Sequence, residues 1–374
     1  MFFKKVTFMV CTVFGIFLLL VVTAEIFLRI SGIWIGRHTD TMFKVMQYDE
    51  NLGWRMKPNI STQMDLVDVE NIPVRSNSLG FRDKEFVLEK PSGKLRIVFL
   101  GDSFAWGFVR EEERLTNLLA VQQGQWDILN FGIPGYGTDQ SLLVWETLAS
   151  KYKPDVVVLT IYKNDYVDNA SVVNDGRQKP YFEWTDQNEL ILKNVPVDKK
   201  TFWENGIFNQ IAPPYQKFYP QPIQKRSRIL HWLVKNSNLV RWIYTLSRAH
   251  RPAPAVQAFF YTDKNSLLDE RTFLQERLLD RLVKRLAAEV RSTNAQFVVV
   301  FSGDMTASYQ RQMESLKTAG ILYVDGTTPS IARFLKSEEK DIYYKYSGHW
   351  TPGANEIVAR LVGDVLSSLV HRVS

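Results

Sequence analysis

The stretch Arg96-Ile-Val-Phe-Leu100 is followed directly by Gly101-Asp102-Ser103-Phe104. A short apolar run that ends at a glycine is typical of a buried strand turning sharply into a helix. Ser103 then stands at the carboxyl end of the strand, near a helix N-terminus, where its hydroxyl can act as a nucleophile. The same turn is also an ordinary helix cap, and the G-x-S-x-G elbow of α/β-hydrolases is absent.

Strand-like and helical segments alternate on both sides of this turn. Apolar runs predict strands at residues 96–100, 127–131, 156–161, 296–301 and 321–324, and helical periodicity predicts helices at 111–123, 138–151, 267–292, 308–319 and 352–370. Such alternation implies a parallel sheet covered by helices on both faces. Ligands of such sheets bind beyond the carboxyl ends of the strands.

Three further loops at strand or helix ends carry residue types that suit acyl transfer. The glycines of Asn130-Phe-Gly-Ile-Pro-Gly-Tyr-Gly137 let backbone N–H groups approach a ligand. Asn164 can donate an amide hydrogen bond to an oxyanion. His349 precedes the last helix, which Thr351 and Pro352 begin. Singly, each residue suits a tight turn or an exposed loop, but the ordered set of four is hard to explain that way. The other histidines are His38, His231, His250 and His371.

The four blocks resemble those of the SGNH/GDSL hydrolases, a family named for a Ser, a Gly, an Asn and a His. The resemblance covers roughly residues 95–170 and 297–370. It implies a three-layer α/β/α, flavodoxin-like parallel sheet with Ser103 as nucleophile and His349 as general base. It further implies an oxyanion hole made of the Ser103 N–H, the Gly135 N–H and the Asn164 side-chain amide.

Two features depart from the family pattern. Members usually carry an Asp two or three residues before the His, where this chain has Tyr346 and Ser347, and the nearest upstream acid is Asp341. His349 is therefore expected to be oriented by Ser347, by a backbone carbonyl, or by Asp341 on a different loop path. Tyr162 stands where the third block often has Gly. The carboxylates of Asp102, Asp165 and Asp168 are predicted to be caps and loop hydrogen-bond acceptors, and the sequence predicts neither a metal site nor a cofactor.

The composition is that of a globular protein, with 374 residues of which 45% are hydrophobic and 23% charged. The net charge of +6 comes from interspersed basic and acidic residues, without a long Lys/Arg tract, so we expect no nucleic-acid partner. The single cysteine, Cys11, excludes an intramolecular disulfide and a Cys-based zinc cluster.

The N-terminus predicts a transmembrane anchor. Lys4 and Lys5 precede an uncharged run over residues 6–24, which matches the thickness of a bilayer core and places the rest of the chain outside the cytoplasm. We expect a single-pass protein of the bacterial inner membrane with its catalytic domain in the periplasm. Val22-Thr23-Ala24 also fits a signal-peptidase site, so cleavage is the alternative.

The predicted domains are an anchor with its juxtamembrane segment (1–36), a lead-in (37–92) and a hydrolase-like domain (93–374) with an insertion at about 170–263. The lead-in contains Leu52-Gly53-Trp54 and Asn77-Ser-Leu-Gly-Phe-Arg82, and it looks like membrane-anchored members of the family found with bacterial surface-polysaccharide genes. Residues 217–251 carry eight Lys/Arg and no Asp or Glu. This basic segment is either a solvated face or a surface for anionic lipid or acidic polysaccharide.

These observations predict a serine esterase or O-acyltransferase that acts on O-acyl groups, above all acetyl, of a cell-surface polysaccharide through an acyl-Ser103 intermediate. One alternative is a catalytically inactive subunit of the same fold that binds polysaccharide in an assembly or export complex, which the missing acid favours. Another is a lipase or thioesterase on membrane lipids, which the basic segment favours. The expected partners are an acylated glycan or other ester substrate, the membrane and polysaccharide-assembly proteins.

Overall fold

The computed structural model describes residues 2–30, 45–64, 71–174, 176–185, 189–199, 210–218, 266–335, 341–344 and 347–373, and the single residues 69, 187, 233, 237, 239, 240 and 243. The chain forms two compact units. The first contains Met1–Asp40 with Arg226–Asp263, and the second contains Thr41–Lys225 with Lys264–Ser374. The second unit holds the sheet and all four sequence blocks.

The helices and strands follow the predicted alternation. In chain order they are α1 (Phe2–Ile30), β1 (Met46–Asp49), β2 (Gly53–Met56), β3 (Ser61–Met64), β4 (Ile72–Arg75), β5 (Leu95–Leu100), α2 (Ser103–Trp106), α3 (Leu115–Gln122), β6 (Trp126–Asn130), α4 (Thr138–Thr147), β7 (Val156–Ile161), α5 (Asp165–Asp168), β8 (Ser171–Asn174), β9 (Arg177–Gln178), β10 (Tyr181–Trp184), β11 (Leu190–Lys193), β12 (Gln210–Ile211), α6 (Ser266–Ser292), β13 (Gln296–Gly303), α7 (Ala307–Thr318), β14 (Leu322–Thr327), α8 (Thr328–Ala332) and α9 (Pro352–Val373).

Five parallel strands form the central sheet, in the spatial order β14-β13-β7-β5-β6. Numbered by their occurrence in the sheet, this is the order 2-1-3-4-5 of flavodoxin-like proteins. All residues of β6 and β7 are buried, as expected of strands covered on both faces. The predicted flavodoxin-like parallel sheet is confirmed.

Helices cover both faces of this sheet. α3 and α9 pack together on one face, where Leu119, Val358 and Val362 join the buried side chains of β5. α6 contacts α4 and α7 on the other face. This division follows from right-handed crossovers, because the chain first moves from β5 to β6 and then turns back towards β7.

Two of the predicted helices are partly 3₁₀ in the structure. The predicted helix 111–123 begins as a 3₁₀ turn, Glu111–Glu113, and becomes α-helical only at Leu115. The predicted helix 138–151 ends at Thr147 and continues as a 3₁₀ turn, Ala149–Tyr152. Lys153 follows with a φ of 47°, and the next residue is Pro154, which disfavours helical backbone at the residue before it.

The lead-in forms two antiparallel hairpins, β1–β2 and β3–β4. It contacts the loops at the carboxyl edge of the sheet. Trp54 Nε1 donates a hydrogen bond of 3.1 Å to Pro134 O, and the Arg82 guanidinium donates to the carbonyls of Gly107 and Val109. The lead-in therefore packs on the loops that follow β5 and β6.

The first part of the insertion adds small β elements to the main unit. β12, β8 and β9 form one sheet, and β10 pairs with β11. The fully buried Lys179 forms an ion pair with Asp139 of α4 and donates to Asp168 O at 2.8 Å. Most of the basic segment 217–251, including His231 and His250, lies outside the described residues.

α1 belongs to the first unit. Its stretch Lys5–Ile30 is long and apolar enough to cross a membrane. Such a helix near the N-terminus suits the predicted anchor, and a signal sequence has the same length and composition. In the same unit, the Glu25 carboxylate accepts hydrogen bonds of 2.8 Å from Ser237 Oγ and from Leu239 N.

Gly101 is required by the close approach of β5 and β7. It has a φ of +141°, and a Cβ atom there would lie 1.9 Å from Thr160 Oγ1. We expect Gly101→Ala to lower the free energy of unfolding by about 2–3 kcal/mol, because the two strands must separate. Urea unfolding followed by tryptophan fluorescence measures this change.

Gly124→Ala is the matched control. No atom lies within 4 Å of the Cβ position at Gly124, so its free energy of unfolding should stay within about 0.5 kcal/mol of wild type. Equal effects of the two substitutions would contradict the role assigned to Gly101.

Candidate active site

Ser103 is the first residue of α2, immediately beyond the carboxyl end of β5. The turn is held by Asp102, whose Oδ1 accepts a hydrogen bond of 2.9 Å from Phe104 N and so caps the helix. The loop after β6 is attached to the same turn, because Ile133 N donates to Gly101 O at 3.1 Å. These contacts fix the backbone that carries the serine hydroxyl.

His349 lies against this serine, although 246 positions separate the two residues. The distance between His349 Nε2 and Ser103 Oγ is 2.7 Å. The histidine loop closes through a hydrogen bond of 2.8 Å from Tyr344 N to His349 O, and Thr351 Oγ1 caps the start of α9 by accepting from Ala354 N at 3.3 Å. A serine hydroxyl within hydrogen-bond reach of an imidazole is the arrangement of an activated nucleophile.

Besides Ser103, the predicted oxyanion-hole residues lie in the loops that follow β6 and β7, the strands on either side of β5. Gly135 follows β6 with a φ of 80°, and its carbonyl accepts from Asn174 Nδ2 at 2.9 Å. The Gly135 N–H donates no hydrogen bond to another described residue. Asn164 follows β7, and its Nδ2 donates to Asp168 Oδ2 at 2.7 Å. The amide has a second N–H, which leaves it one donor for a ligand oxygen.

Asp102 and Asp165 are two buried carboxylates close to Ser103. Burial raises the pKa of Asp102 from its usual 3.8 to about 7, which the hydrogen bond from Phe104 N only partly offsets. Burial, followed by the negative charge of Asp102, raises the pKa of Asp165 well above its usual range. Asp165 accepts from Thr138 Oγ1 at 2.7 Å and from Tyr162 N at 3.0 Å. These aspartates act as the predicted cap and loop acceptors.

The two predicted orienters of the imidazole are placed differently. Asp341 is exposed, and its carboxylate forms no hydrogen bond or ion pair with another described residue. Its backbone carbonyl accepts from Thr351 Oγ1 at 2.8 Å. Ser347 Oγ accepts a long hydrogen bond, 3.4 Å, from the backbone N of His349. This contact shapes the loop before the histidine.

Tyr162, the second departure from the family pattern, has a structural position. Its ring packs on Phe104 with centroids 4.7 Å apart. The ring also covers Gly303, where a Cβ atom would lie 2.6 Å from Tyr162 Cε2. The larger side chain is accommodated because the neighbouring strand ends in glycine.

Two groups of contacts at the site carry no local sequence signal. Leu52 O accepts from Gln140 Nε2 at 2.7 Å and Trp54 O accepts from the Tyr136 hydroxyl, so the lead-in supports the loop of Gly135. Phe108 stacks on the His349 imidazole with centroids 3.9 Å apart and planes at 6°.

In the part of the chain that the structure describes, no three His, Cys, Asp or Glu side chains lie together in a way that could hold a metal ion. A surface groove of about 540 Å³ lies between β11 and α6, and no residue of the serine–histidine site lines it.

The strand order and the Ser103–His349 pair define an α/β protein of flavodoxin-like topology with a serine–histidine site at the carboxyl edge of its sheet. No family model matches the chain, and no curated protein matches it. Similar solved structures include a member of the lipolytic protein G-D-S-L family from Veillonella parvula, with a TM-score of 0.37 and 10% identity over 73% of this chain and 98% of that one.

A GDSL-like lipase from Bacteroides thetaiotaomicron is similar with a TM-score of 0.35 and 10% identity, covering 76% of this chain and 93% of that one. A catalytic mutant of an acetylxylan esterase from Geobacillus stearothermophilus has a TM-score of 0.35 and 12% identity, covering 73% and 94%. At this level of similarity, the conclusions about this chain rest on its own strand order and site geometry.

The raised pKa of Asp102 predicts a pH-dependent stability. The folded state binds the Asp102 proton more tightly than the unfolded state, so wild-type stability should fall as the pH rises from about 4 to about 7. Asp102→Asn stays neutral and keeps an oxygen for the Phe104 N–H. We expect the free energy of unfolding of this variant to fall less steeply over this window than that of wild type. The two slopes should differ by at most about 1.4 kcal/mol per pH unit, the contribution of one titrating group.

Urea unfolding at several pH values between 4.5 and 7.5 (about half-unit steps suffice) measures this difference. Asp364→Asn removes an exposed carboxylate on α9 and should keep the wild-type pH dependence. Parallel stability curves for wild type and Asp102→Asn would show that the carboxyl does not titrate in this window.

Proposed function

We propose that this protein is a serine ester hydrolase or O-acyltransferase. The observation that carries the proposal is the 2.7 Å contact between Ser103 Oγ and His349 Nε2 at the carboxyl edge of the sheet. Serine is a weak nucleophile at neutral pH unless a neighbouring base removes its proton. His349 is such a base, and the flanking loops supply donors for a developing oxyanion.

The reaction proceeds in two halves. His349 Nε2 takes the Ser103 proton as Oγ attacks the carbonyl carbon of an ester, and the N–H groups of Ser103 and Gly135 with the Asn164 amide receive the oxyanion. The imidazolium then gives its proton to the leaving alcohol, which leaves an acyl-Ser103 ester. Attack by water on this ester regenerates the serine and releases the acid, whereas attack by a sugar hydroxyl transfers the acyl group.

The proposed substrate is an O-acylated, above all O-acetylated, cell-surface polysaccharide outside the cytoplasm. The apolar α1 supports a membrane-bound location, and the lead-in supports it through the resemblance described above. Polar side chains border the site at the ends of β7 and β13. The exposed Asp304 carboxylate lies 3.6 Å from Lys163 Nζ and accepts from Thr328 Oγ1 at 2.7 Å. Carboxylate, ammonium and hydroxyl groups can hydrogen-bond sugar hydroxyls.

Covalent labelling by a fluorophosphonate tests the nucleophile. We expect the detergent-solubilised full chain to be labelled, and Ser103→Ala and His349→Ala to lose the label, because one removes the attacking oxygen and the other its base. Labelling is read by gel fluorescence and the site by peptide mass spectrometry. Ser368→Ala, which changes an exposed serine of α9, should be labelled like wild type.

A folded wild-type protein that takes no label would contradict the proposal and favour an inactive polysaccharide-binding subunit. If the wild-type protein is labelled, a second assay separates a hydrolase from an acyltransferase. A hydrolase releases acetate from an acetylated polysaccharide, whereas an acyltransferase transfers the acetyl group to an added oligosaccharide. A labelled wild-type protein that hydrolyses lipid esters through Ser103, but does not act on glycan esters, would favour the lipase alternative.

Asn164→Ala tests the oxyanion hole. We expect kcat for acetyl-ester hydrolysis to fall by about 10²–10³ with little change in KM, because the amide donor strengthens its hydrogen bond only as the oxyanion forms. Initial rates over a range of substrate concentrations measure both constants. Asn51→Ala, at the exposed β1–β2 turn, is the control. A raised KM with unchanged kcat would assign Asn164 to ground-state binding.

A further inference from the structure

Phe108 and His349 form the closest ring stack at the site. Their centroids lie 3.9 Å apart with planes at 6°, whereas Phe104 meets the same imidazole at 5.2 Å and 39°. Two neutral aromatic rings prefer offset or edge-to-face packing over a face-to-face stack. A cation is different, since the negative face of a benzene ring attracts it. The stack places the phenyl face where it would attract a positive charge formed on the imidazole.

Phe108 is held in place from both sides. The Arg82 guanidinium donates hydrogen bonds to the carbonyls of Gly107 and Val109, the two chain neighbours of Phe108. The same guanidinium lies 4.3 Å from the centroid of Trp106, whose ring contacts Phe108 at 5.1 Å. The phenyl ring is thus presented to His349 by a backbone segment fixed at both ends.

We propose that Phe108 is a positioning residue that fixes the plane of the His349 imidazole and stabilises the imidazolium formed when Ser103 gives up its proton. The role rests on the proposed function, in which His349 is the base. In the related families with an acid before the His, a carboxylate holds the ring and stabilises its charge. In this protein, the Phe108 ring holds the imidazole plane and offers its negative face to the imidazolium.

The charged and titratable groups on the surrounding elements are unchanged by a substitution at Phe108. Asp102 and Asp165 are buried near Ser103, and Lys163 with Asp304 lies at the ends of β7 and β13. Tyr162 and Tyr343 lie beside the site. Arg82 lies over Trp106, and Asp341 is exposed. A difference in His349 titration between wild type and a Phe108 variant therefore reports the ring itself.

NMR titration of the full chain in detergent micelles tests the proposal directly. Histidine labelled with ¹³C at Cε1 gives one signal for each of the five histidines, and His349→Ala identifies the signal of His349. Phe108→Leu keeps an apolar side chain and removes the π face. We expect it to lower the pKa of His349 by about half a unit to one unit. Phe108→Tyr, which keeps the face, should titrate close to wild type.

Kinetics separates positioning from substrate contact. We expect Phe108→Leu to lower kcat for acetyl-ester hydrolysis by about 3- to 10-fold, to leave KM unchanged, and to move the acidic limb of the pH–rate profile downwards with the pKa of His349. Phe108→Tyr should restore kcat. Phe273→Leu, an exposed phenylalanine of α6, is the matched control.

The failure of this role is distinguishable from failure of the proposed function. A wild-type protein that does not react with the fluorophosphonate overturns both. A reactive wild type whose His349 pKa and kcat are the same in Phe108→Leu overturns the role of Phe108 alone. A change in KM with an unchanged pH profile also overturns it, because Phe108 would then contact the substrate.

Discussion

All five strands of the central sheet run in the same direction, and the site depends on this single constraint. Parallel strands place all their carboxyl ends at one edge, so the loops after β5, β6 and β7 meet there although they are distant in sequence. The 2-1-3-4-5 order puts β5 between β6 and β7. Ser103 is therefore flanked by the loops of Gly135 and Asn164, and the loop before α9 brings His349 onto it.

The sequence predicts those parts of the fold that have a local signal. The run Val156–Ile161 is a strand with the predicted bounds, because a short, mostly apolar run rich in β-branched residues is typical of a buried strand. The positions of Ser103 and His349 follow from the same reasoning, since each comes directly at the end or start of a periodic segment. The end of α4 at Thr147 has no such signal, because the helical periodicity continues into the 3₁₀ turn Ala149–Tyr152.

Contacts between distant segments have no such signal. The residues around Phe108 do not predict that its ring stacks on a histidine from the far end of the chain. The residues around Trp54 likewise do not predict that it supports the Gly135 loop. Burial is likewise invisible locally. Asp102 reads as a helix cap and is one, but its raised pKa comes from residues packed over it, with Asp165 adding its charge to the same region.

The lead-in holds the segments that surround the charged groups of the site. An ionised carboxylate beside Ser103 would destabilise a negatively charged oxyanion and stabilise a positively charged imidazolium. Because burial keeps Asp102 partly neutral, its repulsion of the oxyanion is reduced. In the role proposed for Phe108, its ring face stabilises the imidazolium. Arg82 holds the segment of Phe108, and Trp54 holds the loop of Gly135. The lead-in thus supports both the segment that follows Ser103 and the loop of Gly135, so the support of the proposed site begins in the lead-in, before the sheet.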